Sequence, residues 1–126
     1  MTQPKSSDQA TNRKISEKIS EMAAGFIVGD AIAERQNRLN AACSAWNIAC
    51  RSPDVRLRQL GQYMESYRQF SPSTSPDNIA NIRKDMETLI ERKLKMFPDD
   101  VRQIVSATVV MVENGYRIQV VAATFH

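Results

Sequence analysis

The sequence is poor in the residues that build catalytic and metal sites. Its single histidine is His126, the last of 126 residues. Histidine is the usual base of nucleophilic triads, so no Ser-His-Asp or Cys-His arrangement is predicted. The two cysteines, Cys43 and Cys50, lack the spacing of a zinc site. We therefore expect a non-enzymatic protein with no catalytic residues, no cofactor and no metal.

The two cysteines are not expected to form a disulfide with each other. Cys43 and Cys50 are seven positions apart in one predicted helix, which is about 10 Å along the axis. A disulfide needs Cα atoms closer than about 7 Å. Two unpaired thiols packed as small hydrophobic side chains, in a reducing compartment, are expected.

Long apolar runs are missing as well. No run approaches the roughly 20 residues that cross a membrane, and "MTQPKSSDQATN" lacks the apolar centre of a secretory signal. We expect a cytoplasmic protein with no membrane partner. Its polar residues 1–12 are predicted to be a disordered tail, ahead of a single domain spanning 13–126.

Excess charge is modest, with a net charge of +3. Within residues 35–58, however, Asp54 is the only acid among several arginines. Such a cluster on folded-back helices is a candidate surface for nucleic acid or an acidic partner. The arginines are Arg35, Arg38, Arg51, Arg56 and Arg58.

Helical periodicity covers residues 13–98. Its first part fits either one long helix over 13–51 or two helices broken near Gly25 or Gly29; the single helix is favoured. At about 58 Å, it would overhang a domain of this size, and its apolar face would need a partner.

Two further helices are predicted over 53–70 and 76–97. Each follows a Ser-Pro-Asp sequence, beginning at Ser52 and Ser75. Serine caps a helix, proline fits its first position and aspartate favours the positive end of its dipole. Asp99 and Asp100, which follow the third helix, are interpreted as capping or solvated turn residues.

A β-hairpin is predicted over 107–125, where the apolar period becomes two. Asn114-Gly115 is typical of a type I′ turn, which would pair Glu113 with Tyr116. Whether the connector 99–106 is helix or strand is left open. One face is apolar and expected to lie under the helices: Val109, Met111, Tyr116, Ile118 and Val120. The other face offers a candidate interface: Val110, Val112, Val121 and Phe125.

The predicted fold class is therefore α+β, with three main helices, the first of them long, packed on a C-terminal antiparallel hairpin. A two-stranded hairpin exposes strand edges that a partner can extend. We expect a protein–protein interaction protein, acting as a homodimer or as a small subunit or adaptor of a larger complex. It would use the long helix and the hairpin edge. The alternative is a nucleic-acid-associated regulator or accessory factor that uses the arginine-rich helices.

Overall fold

The computed structural model describes residues 14–123. The predicted tail and Phe125 lie outside these residues. Within them the fold is α+β, with four helices followed by one antiparallel hairpin. The elements are α1 (Ile15–Met22), α2 (Ile32–Ala49), α3 (Pro53–Phe70), α4 (Pro76–Met96), β1 (Gln103–Val112) and β2 (Gly115–Ala123).

The predicted long first helix is wrong, because the chain breaks between α1 and α2. Gly25 has a φ of +82°, a left-handed conformation that ends helices and that glycine adopts at little cost. Two arginines of α2 then hold the connector: Arg35 Nε donates to Gly29 O at 2.7 Å and Arg38 Nη1 to Phe26 O at 3.3 Å. Without a long helix, no overhanging apolar face is left to require a partner.

The second and third predicted helices correspond to α3 and α4. Ser75 caps α4 as predicted, since its hydroxyl accepts a hydrogen bond from Asn78 N at 3.2 Å. Ser52 occupies the cap position of α3 without a side-chain hydrogen bond. In α3, proline at the first position and Asp54 in the first turn supply the remaining start signals.

The core surrounds α2, which packs against α1, α3, α4 and β1. Trp46 lies at its centre, fully buried, with its ring 5.9 Å from that of Phe97. Val109 is the most buried residue of the hairpin, at 5% exposure. Burying such side chains is worth about 1.5–3 kcal/mol each. Because α2 packs against β1 as well as the other helices, it holds the sheet to the helices.

The hairpin has the predicted division of side chains between two faces but a different register. The helices do not cover the face out to the tip as expected, because Met111 is 65% exposed. Val112 pairs with Gly115 and Met111 with Tyr116, a shift of two residues from the predicted pairing. Non-glycine residues between 14 and 123 all have negative φ, so Asn114 is not in a type I′ turn. Because side chains alternate with period two, an even shift leaves each one on its predicted face.

A β-bulge explains why the connector could not be assigned from the sequence. β1 begins at Gln103, and its register is interrupted between Ile104 and Ser106. The extra residue, Val105, is 62% exposed. A bulge inserts one residue and re-aims the strand, so Ile104 packs on the core and alternation is lost at this point.

Candidate functional site

The outer edge of β1 is closed by two amide side chains of α2. Gln36 Nε2 donates to Ala107 O at 3.0 Å, and Val109 N donates to Gln36 Oε1 at 2.8 Å. Asn47 makes the same pair with Ile104: Ile104 N donates to Asn47 Oδ1 at 2.7 Å, and Asn47 Nδ2 donates to Ile104 O at 3.0 Å. Each amide satisfies a backbone donor and acceptor as a neighbouring strand would.

The spacing of these two side chains matches the strand. Gln36 and Asn47 are eleven residues apart, or about 16 Å along a helix. Three helical turns return them to the same face. The β1 backbone between their contacts covers a similar length at about 3.3 Å per residue. α2 therefore lies along β1 in the opposite direction and protects its edge from another strand.

Within residues 14–123, no side chain closes the outer edge of β2 in this way, although α1 packs against this strand. In an antiparallel ladder each residue directs its N–H and C=O to the same side. Ala107 and Val109 direct theirs to Gln36, so their partners Val120 and Ile118 must direct theirs away from β1. Among residues 14–123 the sheet has only two strands. The same alternation places the backbone groups of Tyr116 and Ala122 on this open edge.

A groove of about 540 Å³ runs beside the open edge. One wall is the start of α1, residues 14–17, and the other is residues 117–120 of β2. Arg117 is the only charged residue of β2. Exposed strand edges are usually protected by charges, prolines or bulges; here the bulge lies on β1, which is already covered. The geometry therefore allows strand addition at β2.

The predicted hairpin interface is only partly exposed. Val121 is 58% and Val112 is 38% exposed, while Val110 is partly buried. Arg117 and Gln119 lie on this same outer face, which is mixed in character. This face is therefore a weaker candidate for a binding surface than the β2 edge that borders it.

The five arginines do not form one surface. Arg35 and Arg38 are near the start of α2 and engage the connector; the Arg35 guanidinium also lies 4.2 Å from the centre of the Tyr116 ring. The other three, residues 51, 56 and 58, lie around the α2–α3 junction. There Arg56 Nε donates to Ala49 O at 3.2 Å. Arg38 and Arg51, the nearest members of the two groups along the chain, are thirteen residues apart, or about 20 Å along a helix.

A buried polar network fixes the start of β1 beside the core. Its centre is Asp100, whose carboxylate meets Lys18 Nζ at 2.8 Å and Arg102 Nη2 at 2.6 Å. The backbone oxygen of Asp100 accepts from Lys93 Nζ at 2.6 Å, and Trp46 Nε1 donates to Arg102 O at 2.8 Å. The network therefore ties α1, α2 and α4 to the strand.

The electrostatics of the network follow from burial and pairing. Burial alone would raise the pKa of Asp100, but hydrogen bonds from Arg102 and Lys18 outweigh it and hold that pKa well below its usual range. Burial lowers the pKa of Lys93. These are the shifts expected for paired charges out of water. Interpreting Asp100 as a solvated turn residue missed this role, because nothing in "FPDDVR" distinguishes a buried acid from a turn acid.

Both cysteines are free, as predicted. Burial raises the pKa of the Cys43 thiol to about 12, and burial also raises the pKa of Cys50. The Cys50 sulfur lies 3.7 Å from Asp100 O. A thiol with a raised pKa is a poor nucleophile, so these side chains act as packing groups.

A separate groove of about 470 Å³ lies between the end of α3 and the start of α4. Its lining includes Met64 and Ile79, with Arg68 and Arg83 also present. Each of these arginines has an exposed glutamate partner on its own helix, at 3.5 and 3.4 Å. In residues 14–123 no set of three or more histidine, cysteine or acidic side chains is placed to hold a metal.

No helix in the described part of the chain is both long and apolar enough to cross a membrane. Comparisons with protein-family models, with curated proteins and with solved structures found no match to this chain.

Proposed function

We propose that this protein is a non-enzymatic protein–protein interaction module, and that its β2 edge is the surface that receives the partner. The proposal has one principal support, the contrast between the two edges of the sheet. β1 is closed by Gln36 and Asn47, whereas β2 is flanked by a groove and carries one charge. Strand addition of this kind obtains affinity from backbone hydrogen bonds and specificity from alternate side chains.

The proposal gives the hairpin edge the role that the sequence suggested. It does not use the first helix, because α1 has only eight residues and its apolar side is buried in the core. In this proposal the helices serve as the support that fixes the hairpin and closes its other edge.

A proline on the open edge tests the proposal. The N–H of Val120 points away from β1, so Val120→Pro removes no hydrogen bond between the two strands. It does remove one donor that an added strand needs. Val120→Ala is the matched control, because it loses a similar amount of side chain and keeps the N–H.

The measurement is a pull-down from source-cell extract with the full-length chain, read by mass spectrometry, together with light scattering of the purified protein. Wild type and Val120→Ala should retain the same partner, which is either a second copy or another protein, and Val120→Pro should lose it. If Val120→Pro retains that partner, the edge is not the docking surface. A wild-type monomer at high concentration with no co-purifying protein would contradict the proposal as a whole.

The alternative is nucleic-acid binding by the five arginines. These arginines divide into two groups and do not form one basic surface. Nucleic-acid binding remains a prediction that a mobility-shift assay at low salt can test.

A further inference from the structure

We infer that the partner at the β2 edge is a second copy of this chain, paired antiparallel about a two-fold axis through Gln119. This inference rests on the proposed function and specifies its partner. Two copies would join their hairpins into one continuous four-stranded sheet, in the order β1–β2–β2–β1.

The first argument is the symmetry of the open edge. β2 is described from Gly115 to Ala123, and Gln119 is the midpoint of that stretch. Two such strands placed about Gln119 overlap along all nine described residues. The outward groups then match: Tyr116 of one copy faces Ala122 of the other, and Ile118 faces Val120. In an antiparallel ladder, the two residues of such a facing pair exchange N–H and C=O hydrogen bonds. The backbone groups at all four outward positions are then hydrogen-bonded in each copy.

The second argument is charge. Arg117 is the only ionic side chain of β2, and in this register it faces Val121 of the other copy rather than another arginine. Like charges directly opposite each other across a sheet are destabilising, and this pairing avoids them.

The third argument is the residue on the axis. A side chain at a two-fold axis must be compatible with its own copy. Gln119 is exposed on the outer face, and its amide carries both a donor and an acceptor. Two such amides can therefore bond to each other. The Cβ atoms of facing residues at such a position lie about 4.5–5.5 Å apart.

Charge substitutions at Gln119 test both the partner and the register. Gln119→Lys should weaken self-association by about threefold to fivefold in Kd, because it places like charges across the axis and beside the diagonal Arg117 of the other copy. Gln119→Glu should weaken it less, since that arginine offsets the repulsion between the two glutamates. An equimolar mixture of the two variants should associate about tenfold more tightly than the geometric mean of the two single-variant Kd values, since the facing charges are then opposite and the contribution of Arg117 cancels. The mass and Kd are read by light scattering and sedimentation on the full chain.

Thr108 supplies the matched control. It is exposed on the same outer face and pairs with Gln119 inside one hairpin. In the joined sheet, however, the two Thr108 residues would be three strand spacings apart, or about 14 Å. Salt at about 0.1 M screens charges at that distance. Thr108→Lys and Thr108→Glu should therefore leave the Kd unchanged and show no gain on mixing.

The outcomes separate this inference from the proposed function. A dimer that shows the charge-swap pattern at Gln119 and not at Thr108 supports self-pairing. If the mixture of Gln119→Lys and Gln119→Glu gains no affinity over that mean, the two-fold register is wrong. A monomeric wild type overturns self-pairing; if it still captures another protein that Val120→Pro loses, the proposed function stands without it.

Discussion

Removing the Asp100 carboxylate should strongly destabilise the fold. Asp100→Ala leaves the Lys18 ammonium without its partner while its side chain is only 7% exposed. It also removes the bidentate contact with Arg102. Breaking a buried ion pair from one side costs about 3–5 kcal/mol, because the remaining charge stays buried.

That cost is a large fraction of the 5–15 kcal/mol that stabilises a typical domain. At about 4 °C per kcal/mol for a chain of this size, it lowers the Tm by about 12–20 °C. Urea unfolding can be followed through Trp46, the only tryptophan, which lies beside the network. Asp99→Ala, the exposed neighbour, is the control and should change stability by less than about 0.5 kcal/mol. Equal effects of the two substitutions would refute the assigned role of the network.

Three further predictions concern Asp100, Asn47 and Ile118. The depressed pKa of Asp100 means that the unfolded chain takes up the proton near pH 4 and the folded chain only at lower pH. Stability is therefore complete above about pH 4 and falls below it. The gap between wild type and Asp100→Asn in urea should narrow as the pH is lowered through this range. Asn47→Ala leaves the β1 backbone groups that it pairs unsatisfied and should cost about 2 kcal/mol by urea unfolding; the exposed Asn37→Ala on the same helix should cost little. Ile118→Asp places a charge on the covered face of the hairpin and should lower the Tm, whereas Arg117→Asp on the outer face should not; equal melting temperatures would contradict the assignment of faces.

Local signals in the sequence predicted most of the fold. Helices α3 and α4 both begin with first-position prolines and Ser75 caps α4, and these signals act within one helical turn. The hairpin was found through Asn114-Gly115. The division of its side chains between two faces was correct although its register was not, because the error was two residues and side chains alternate with period two. The expected cover of Met111 was wrong.

The features that failed depend on contacts between distant residues. The break at Gly25 reflects a balance between continuing the helix and packing the connector against Arg35 and Arg38. Hydrophobic periodicity does not report that balance. Gln36 and Asn47 look like ordinary solvated positions until β1 is placed beside them. Asp100 was misjudged for the same reason, since its partner Lys18 is 82 residues away.

The most direct test of the open β2 edge is residue-resolved amide hydrogen exchange at Ile118 and Val120, followed by NMR over a dilution series. A self-pairing edge predicts protected amides in the concentrated protein, and exchange that approaches that of exposed backbone as the dimer dissociates. Val109, whose amide is bonded to Gln36, should stay protected throughout. Protection at Ile118 and Val120 that persists unchanged in the diluted monomer would show that the chain fills its own edge, and would contradict the account.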